Sequence, residues 1–360
     1  MTGSPLRETR AGLIVELPSL DASPPVEIIR TVQQAIDEVA LGGGGEVRLG
    51  AGEHRVAPLT VPPLVSLIGQ SGWGYRHAGA TVLRPLSPDQ PCLIDARRAH
   101  GCRFVGLTLD GQSLGHEMHG LIASHAGVEQ NLVVDDCRIT HFSGSGISFY
   151  RVWVFAIRHS LLMYNRLDGL DATRSCDGWI IDTQIAANDR AGIGSRHVAS
   201  VTMTANRVEW NRRAGILLGG DYLDQVQING CMFDRNHGPG IELEGGPRCT
   251  SVAICGNMFR NNGFRRTASR PLSSHILARG VCGLSITGNT LRGGTNDRGD
   301  EPVSPSAGMW LESLVDSVIT GNALYHAAMD ELIGGTDNHT NTVITHNPGS
   351  LQHPHGVEPR

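Results

Sequence analysis

Glu242 and Glu244 stand two residues apart in the run Gly240-Ile241-Glu242-Leu243-Glu244. In an extended strand, residues at that spacing share a face with Cα atoms ~6.6 Å apart. Two carboxyls so placed suit glycosidic cleavage, one held protonated by the other's charge as general acid and the other acting as base. A pair of solvated glutamates on an exposed strand fits the same residues. Asp171 and Arg196 are the further catalytic candidates. Asp171 is expected to bond Arg196, or Arg174 beside it, and arginine is the side chain that recognises a carboxylate by a fork of parallel hydrogen bonds. With His197, these residues offer a second subsite, or an alternative centre in which Arg196 or His197 is the base.

Other residues read as substrate-binding candidates. Tyr150 and Trp310 are exposed aromatics in a chain with only 5% aromatic content, suited to stacking on sugar rings or to a subunit contact. Arg174, His197, Asp221 and Arg279 complete the set. Asp221 follows Gly219-Gly220 at a turn, where calcium binding would need a denser acidic cluster than the sequence has. His119, His125 and His141 show no metal-ligand spacing. The expectation is neither a metal nor a cofactor.

Position in a repeat gives these residues a common face. A small polar residue followed by an apolar pair recurs at Cys137, Ser160, Thr183, Asn206, Cys231, Asn257, Asn289, Asn322 and Asn347, in steps of 23, 23, 23, 25, 26, 32, 33 and 25. A near-constant period of this length implies a stacked solenoid, whose units cannot bury an apolar face alone. Before each polar residue lies an apolar-x-apolar block such as Val201-Thr202-Met203, and after it a glycine-led block such as Gly215-Ile216-Leu217-Leu218. With the apolar pair after the polar residue, each coil has three short strands. Stacked asparagines at one turn would bond one another along the axis, and the leading glycines are expected to supply positive φ. A leucine-rich repeat would show leucine at several fixed positions and one strand per unit, which this chain does not.

In the glycine-led strands the apolar residues point inward, so the second and fourth after glycine point out on one ribbon. The ribbon reads Ser148 and Tyr150, Asp171 and Thr173, Gly194 and Arg196, Leu217 and Gly219, Glu242 and Glu244, Leu277 and Arg279, Trp310 and Glu312. Three longer segments, 110–119, 261–274 and 293–307, follow third strands and are expected to wall the ribbon, since insertions in solenoids gather on the functional face. At the start, Thr31 to Ala40 predicts a helix over 31–40, with a capping-box pair and Val32, Ile36 and Val39 on one face. Such a helix would cap the open edge.

This arrangement resembles the pectate-lyase-like superfamily of right-handed parallel β-helix proteins. The resemblance spans roughly residues 27–349 and implies an all-β fold: a right-handed three-stranded parallel β-helix solenoid with an N-terminal capping helix. It also implies a groove over the first strand of each coil. The expected organisation is an N-terminal extension at 1–26, a single β-helix domain at 27–349 and a tail at 350–360. Asp168-Gly-Leu-Asp-Ala-Thr173 is similar to the acidic motif of alginate epimerases, with Ala172 and Thr173 in place of its proline and histidine. Inulin fructotransferases share the solenoid, a carboxylate mechanism and a trimer, but no motif here is specific to them. The polygalacturonase set, which includes Arg-x-Lys, is absent.

Composition narrows the chemistry. The net charge of -5 offers no basic field for nucleic acid. All 30 basic residues are arginine, which excludes Schiff-base chemistry and a lysine base. No apolar run approaches a membrane span and no secretory leader is read at the start. Cys137 and Cys231 fall on inward positions four coils apart, ~19 Å and beyond disulfide reach. A cytoplasmic location is therefore expected, or a secreted one if a leader has been removed. The first expectation is an enzyme that cleaves or rearranges glycosidic bonds on a carbohydrate substrate. The alternatives are a lyase or isomerase with an Arg or His base, and a non-catalytic glycan-binding solenoid, the assembly in any case being a candidate homotrimer.

Overall fold

The structure is a computed structural model that describes residues 13–17, 25–70, 79–124, 127–246, 248–264, 269–296, 298–299 and 303–352. His125 lies outside them. The chain is all-β apart from helix α1 (Pro25–Leu41) and one 3-10 turn at Arg270–Leu272 among the described residues. Every strand pairing is parallel, and the pairings run in three ladders. One joins the glycine-led strands, such as Leu170–Thr173 to Ile193–Thr204. The second joins Trp153–Arg158 to Cys176–Ile181 and onward. The third joins the three-residue strands, such as Leu161–Met163 to Gln184–Ala186.

Apolar side chains on the inward positions make one continuous core along the axis, with Ile147, Phe149, Ile216, Leu218, Ile241 and Leu243 among its members. The outward row has the expected register: Asp171 lies beside Gly194, Gly194 beside Leu217, Leu217 beside Glu242 and Leu277 beside Trp310. Cys137 and Cys231 are buried within the core. Helix α1 begins upstream of the expected 31–40, with Pro25 at its first position, where a missing N–H costs nothing. Thr31 is therefore inside the helix and does not cap it. Val32, Ile36 and Val39 are buried as the spacing predicts, together with Ala35.

The polar column at the turn before the third strands stacks as expected. The amides of Asn257, Asn289 and Asn322 each donate to the next asparagine up the axis, at 3.0, 2.9 and 2.8 Å. A second column, not anticipated from the sequence, follows the third strands: Asn165, Asn188, Asn211, Asn236 and Asn262. Each asparagine from 165 to 236 donates to the next at 2.8–3.0 Å. These amides occupy backbone groups that the turn leaves without a strand partner.

The leading glycines serve a different purpose from the expected positive φ. A Cβ on Gly192 would stand 2.7 Å from the Gly215 carbonyl oxygen one coil on, and Gly169 and Gly215 meet the next coil in the same way. Glycine is needed because coils pass closely there. Positive φ instead falls on non-glycine turn residues, including Tyr164, Ala187 and Trp210.

Replacing Asn211 with Ala removes the bond to the Ile185 carbonyl and strands the Asn188 N–H, both buried. The expected cost is about 1–3 kcal/mol in urea unfolding, chiefly from the unsatisfied Asn188 N–H. Arg212→Ala, on the adjacent exposed position, should change stability by less than about 0.5 kcal/mol.

Candidate active site

Between successive coils on the glycine-led face lies a groove of about 440 Å³ lined by Asp168, Asp171, Arg190, Arg196, Arg213, Asp221 and Glu244, with glycines at its floor. The pairing register builds it. Gly194 and Gly219 occupy outward positions one coil above Asp171 and Arg196, so the ribbon dips where side chains are missing. At this level the first and second ladders fuse into the long strands Ile193–Thr204 and Ile216–Asn229. A register shift separates them. Arg196 pairs with Gly219 but Val198 with Leu223, so His197 alone spans Gly220, Asp221 and Tyr222. This bulge sets Arg196 and Asp221 at the rim.

Asp168 was not among the sequence candidates, and it is the most perturbed acid in the groove. It is only 2% exposed, accepts the Ala191 N–H at 2.9 Å and faces Arg190 at 3.5 Å. A Cβ on Gly194 would stand 2.9 Å from its Oδ2, so the carboxyl lies flush against the bare backbone of the next coil. Burial pushes its pKa up to about 6, with Asp171 adding to the rise and Arg190 opposing it. Asp171 does not pair with Arg174 or Arg196. Its Oδ1 accepts instead from the Thr173 hydroxyl at 2.6 Å and the Thr173 N–H at 3.1 Å, because a residue two positions along the same strand is nearer than the next coil. Arg196 is exposed and forms no ion pair among the described residues.

Glu242 departs from the expectation of an open ribbon residue. It is fully buried, its outward position covered by Arg213, whose guanidinium reaches Oε1 at 3.4 Å, and by the flanking rows of Leu217 and Leu277. Its Oε2 is buried without a hydrogen-bond partner among the described residues. Burial raises its pKa; Arg213 opposes this and Glu244 adds to it. Glu244 is exposed at the groove edge.

The remaining candidates lie elsewhere. Tyr150 is exposed below the groove, and Arg174 and His197 do not line it. Arg279 forms an ion pair with Glu312 at 2.7 Å, and the Trp310 indole donates to the same Glu312. Those two residues close a separate network further up the ribbon. Among the described residues, none that lines the groove comes from 110–119, 261–274 or 293–307. The latter two segments contact each other through Ser273 and Ser306. Arg190 and Arg213, not among the candidates read from the sequence, sit at equivalent turn positions 23 residues apart, where strand alternation gives no guidance.

Residues 119–267 match the family model described as the right handed beta helix region. That match and the solved structures below show the fold of right-handed β-helix proteins. Among curated relatives, it is 30% identical to mannuronan C5-epimerase AlgE1 of Azotobacter vinelandii over 45% of this chain and 12% of that protein. For AlgE4 of the same organism the figures are 29%, 45% and 32%. The chain thus spans a minor part of these relatives. Among solved structures, DFA-IIIase from Arthrobacter chlorophenolicus A6 superposes with a TM-score of 0.64 at 11% identity, covering 91% of this chain and 94% of that one. The AlgE6 A-module of Azotobacter vinelandii gives 0.54 at 19%, covering 87% and 94%.

Folded Asp168 keeps a proton between its ordinary 3.8 and about 6 that the unfolded chain has already released. The native state therefore binds more protons in that window, and this group's contribution weakens the fold as pH rises through it. Asp168→Asn keeps an acceptor for Ala191 and removes the charge. Urea midpoints should show it more stable than the parent at pH 7 by on the order of 2–3 kcal/mol, with the gap closing near pH 4. A parallel pair of pH profiles would refute the assignment.

Proposed function

We propose that this protein is a carbohydrate-active enzyme that binds an acidic glycan in the groove and moves the proton on the sugar carbon next to the carboxylate. The observation that carries this reading is unpaired Arg196 in a groove whose wall contains the buried, readily protonated Asp168. Arg196, flanked by Arg190 and Arg213, supplies forked donors to the sugar carboxylate and stabilises the charge that develops when its neighbouring carbon loses a proton. Protonated Asp168 donates a hydrogen bond or returns a proton, and the Asp171 carboxyl accepts one. Return of the proton to the opposite face gives an epimer. Loss of the neighbouring glycosidic oxygen instead gives an unsaturated product. The similarity to mannuronan C5-epimerases, proteins named for a uronate polymer, supports this substrate class.

A second reading keeps Glu242 and Glu244 as an acid and base for glycosidic cleavage; the raised pKa of Glu242 supports it. Both readings rest on treating the three ladders as the faces of one three-stranded coil over 27–349, capped by α1, with Leu13–Leu17 adding an edge strand to Gly45–Leu49.

Incubation with oligomannuronate and polygalacturonate in deuterated water separates them. Epimerisation places one solvent deuterium on the carbon beside the carboxylate of each converted residue, seen by NMR and mass spectrometry, whereas elimination leaves that carbon without hydrogen in a new double bond seen by ultraviolet absorbance. Arg196→Ala and Asp168→Asn should each lower kcat/KM about 10²-fold or more. Products that gain water without carbon-bound deuterium, lost in Glu242→Gln, would establish the second reading. Unchanged substrates would remove both.

A further inference from the structure

A column of side chains at the start of the turn after the third strands, three residues before Arg190 and Arg213 and itself outside the groove lining, runs His141, Tyr164, Ala187, Trp210, Arg235. Its register follows from the strands that precede it: Thr140 pairs with Met163, Met163 with Ala186, Ala186 with Glu209 and Glu209 with Asp234. Tyr164, Ala187 and Trp210 share φ values of 58, 54 and 61°, so the three side chains leave the backbone in equivalent directions. Tyr164 is 48% exposed and Trp210 41% exposed.

The two aromatic rings are each backed on their outer side. The His141 ring stacks on Tyr164 with centroids 5.4 Å apart and planes 8° apart. The Arg235 guanidinium lies over the Trp210 ring at 4.8 Å. Both spacings are close to one coil of rise, which fits rings stacked along the axis. So placed, their inner faces look towards each other over Ala187, whose side chain is only a methyl group. Two coils separate the rings, or ~9.6 Å, which leaves an inserted group ~4.8 Å from each plane. A flat aromatic guest would sit too loosely, because carbon atoms pack best at ~3.5–4.0 Å. A puckered sugar ring, with hydrogens standing off both faces, is thick enough to touch both. Beside the slot, Arg212 and Asp189 form an ion pair at 3.3 Å, placing polar groups where ring hydroxyls would emerge.

We infer that Tyr164, Ala187 and Trp210 form a second carbohydrate site, a slot that clamps one pyranose ring of a glycan outside the catalytic groove. The inference needs binding and not turnover, so it stands or falls apart from the proposed reaction.

The test is calorimetric titration with cellohexaose, mannohexaose and hexamannuronate in an Arg196→Ala background, which disables the groove. At least one hexamer should bind. Trp210→Ala should weaken that binding about tenfold, the scale of a lost stacking contact. Ala187→Trp should abolish it by filling the slot, at a backbone position where Trp210 already shows tryptophan is accommodated. Tyr164→Phe, which keeps the ring, should retain it. Melting curves would confirm that the variants fold. No binding by any hexamer, or affinity unchanged in both Trp210→Ala and Ala187→Trp, would overturn the inference. Slot binding in a protein that turns over no glycan would leave it intact and sink the reaction instead.

Discussion

The coil-to-coil hydrogen bond fixes everything that matters in this chain. Backbone pairing between coils sets a rise of ~4.8 Å, and the two asparagine columns hold that register at the turns, where strands cannot. A buried amide in such a column both donates to and accepts from its neighbours, so one asparagine occupies several backbone groups that would otherwise lie unsatisfied. Asn211 and its neighbours do this immediately beneath the turn that presents Arg190 and Arg213. The same bonds that stabilise the turn therefore position the groove's cations.

The groove itself results from what is omitted. Gly194 and Gly219 remove side chains from outward positions, and the shift after Arg196 pushes Asp221 to the rim. Asp168 can then fold against Gly194 and be desolvated without leaving the surface of the solenoid. Desolvation raises its pKa, and the nearby guanidinium groups keep the site from becoming simply apolar. A wall that mixes an acid of raised pKa with arginines suits an anionic sugar better than a neutral one.

The sequence carried the fold well because the fold is periodic. The polar column from Cys137 to Asn347 and the inward and outward alternation were enough to place Asp171, Arg196, Leu217 and Glu242 on one ribbon in their observed register. The second column, Asn165 to Asn262, is equally periodic, with steps of 23, 23, 25 and 26. The site was less legible. Alternation tells which way a strand residue points but not what covers it, so the burial of Glu242 under Arg213 could not be read. Nor does alternation apply at turns, where Asp168, Arg190 and Arg213 arise. The Asp171–Arg196 pair failed because Thr173, on the same strand, reaches the carboxyl first.

A crystal structure of Asp168→Asn with a mannuronate tetramer would test most directly whether stacked coils in register assemble one binding groove. The account predicts a sugar carboxylate against the Arg196 guanidinium, with Arg190 or Arg213 alongside and residue 168 beneath the ring. A tetramer bound on another face, or Arg196 and residue 168 found on different sides of the solenoid, would contradict it.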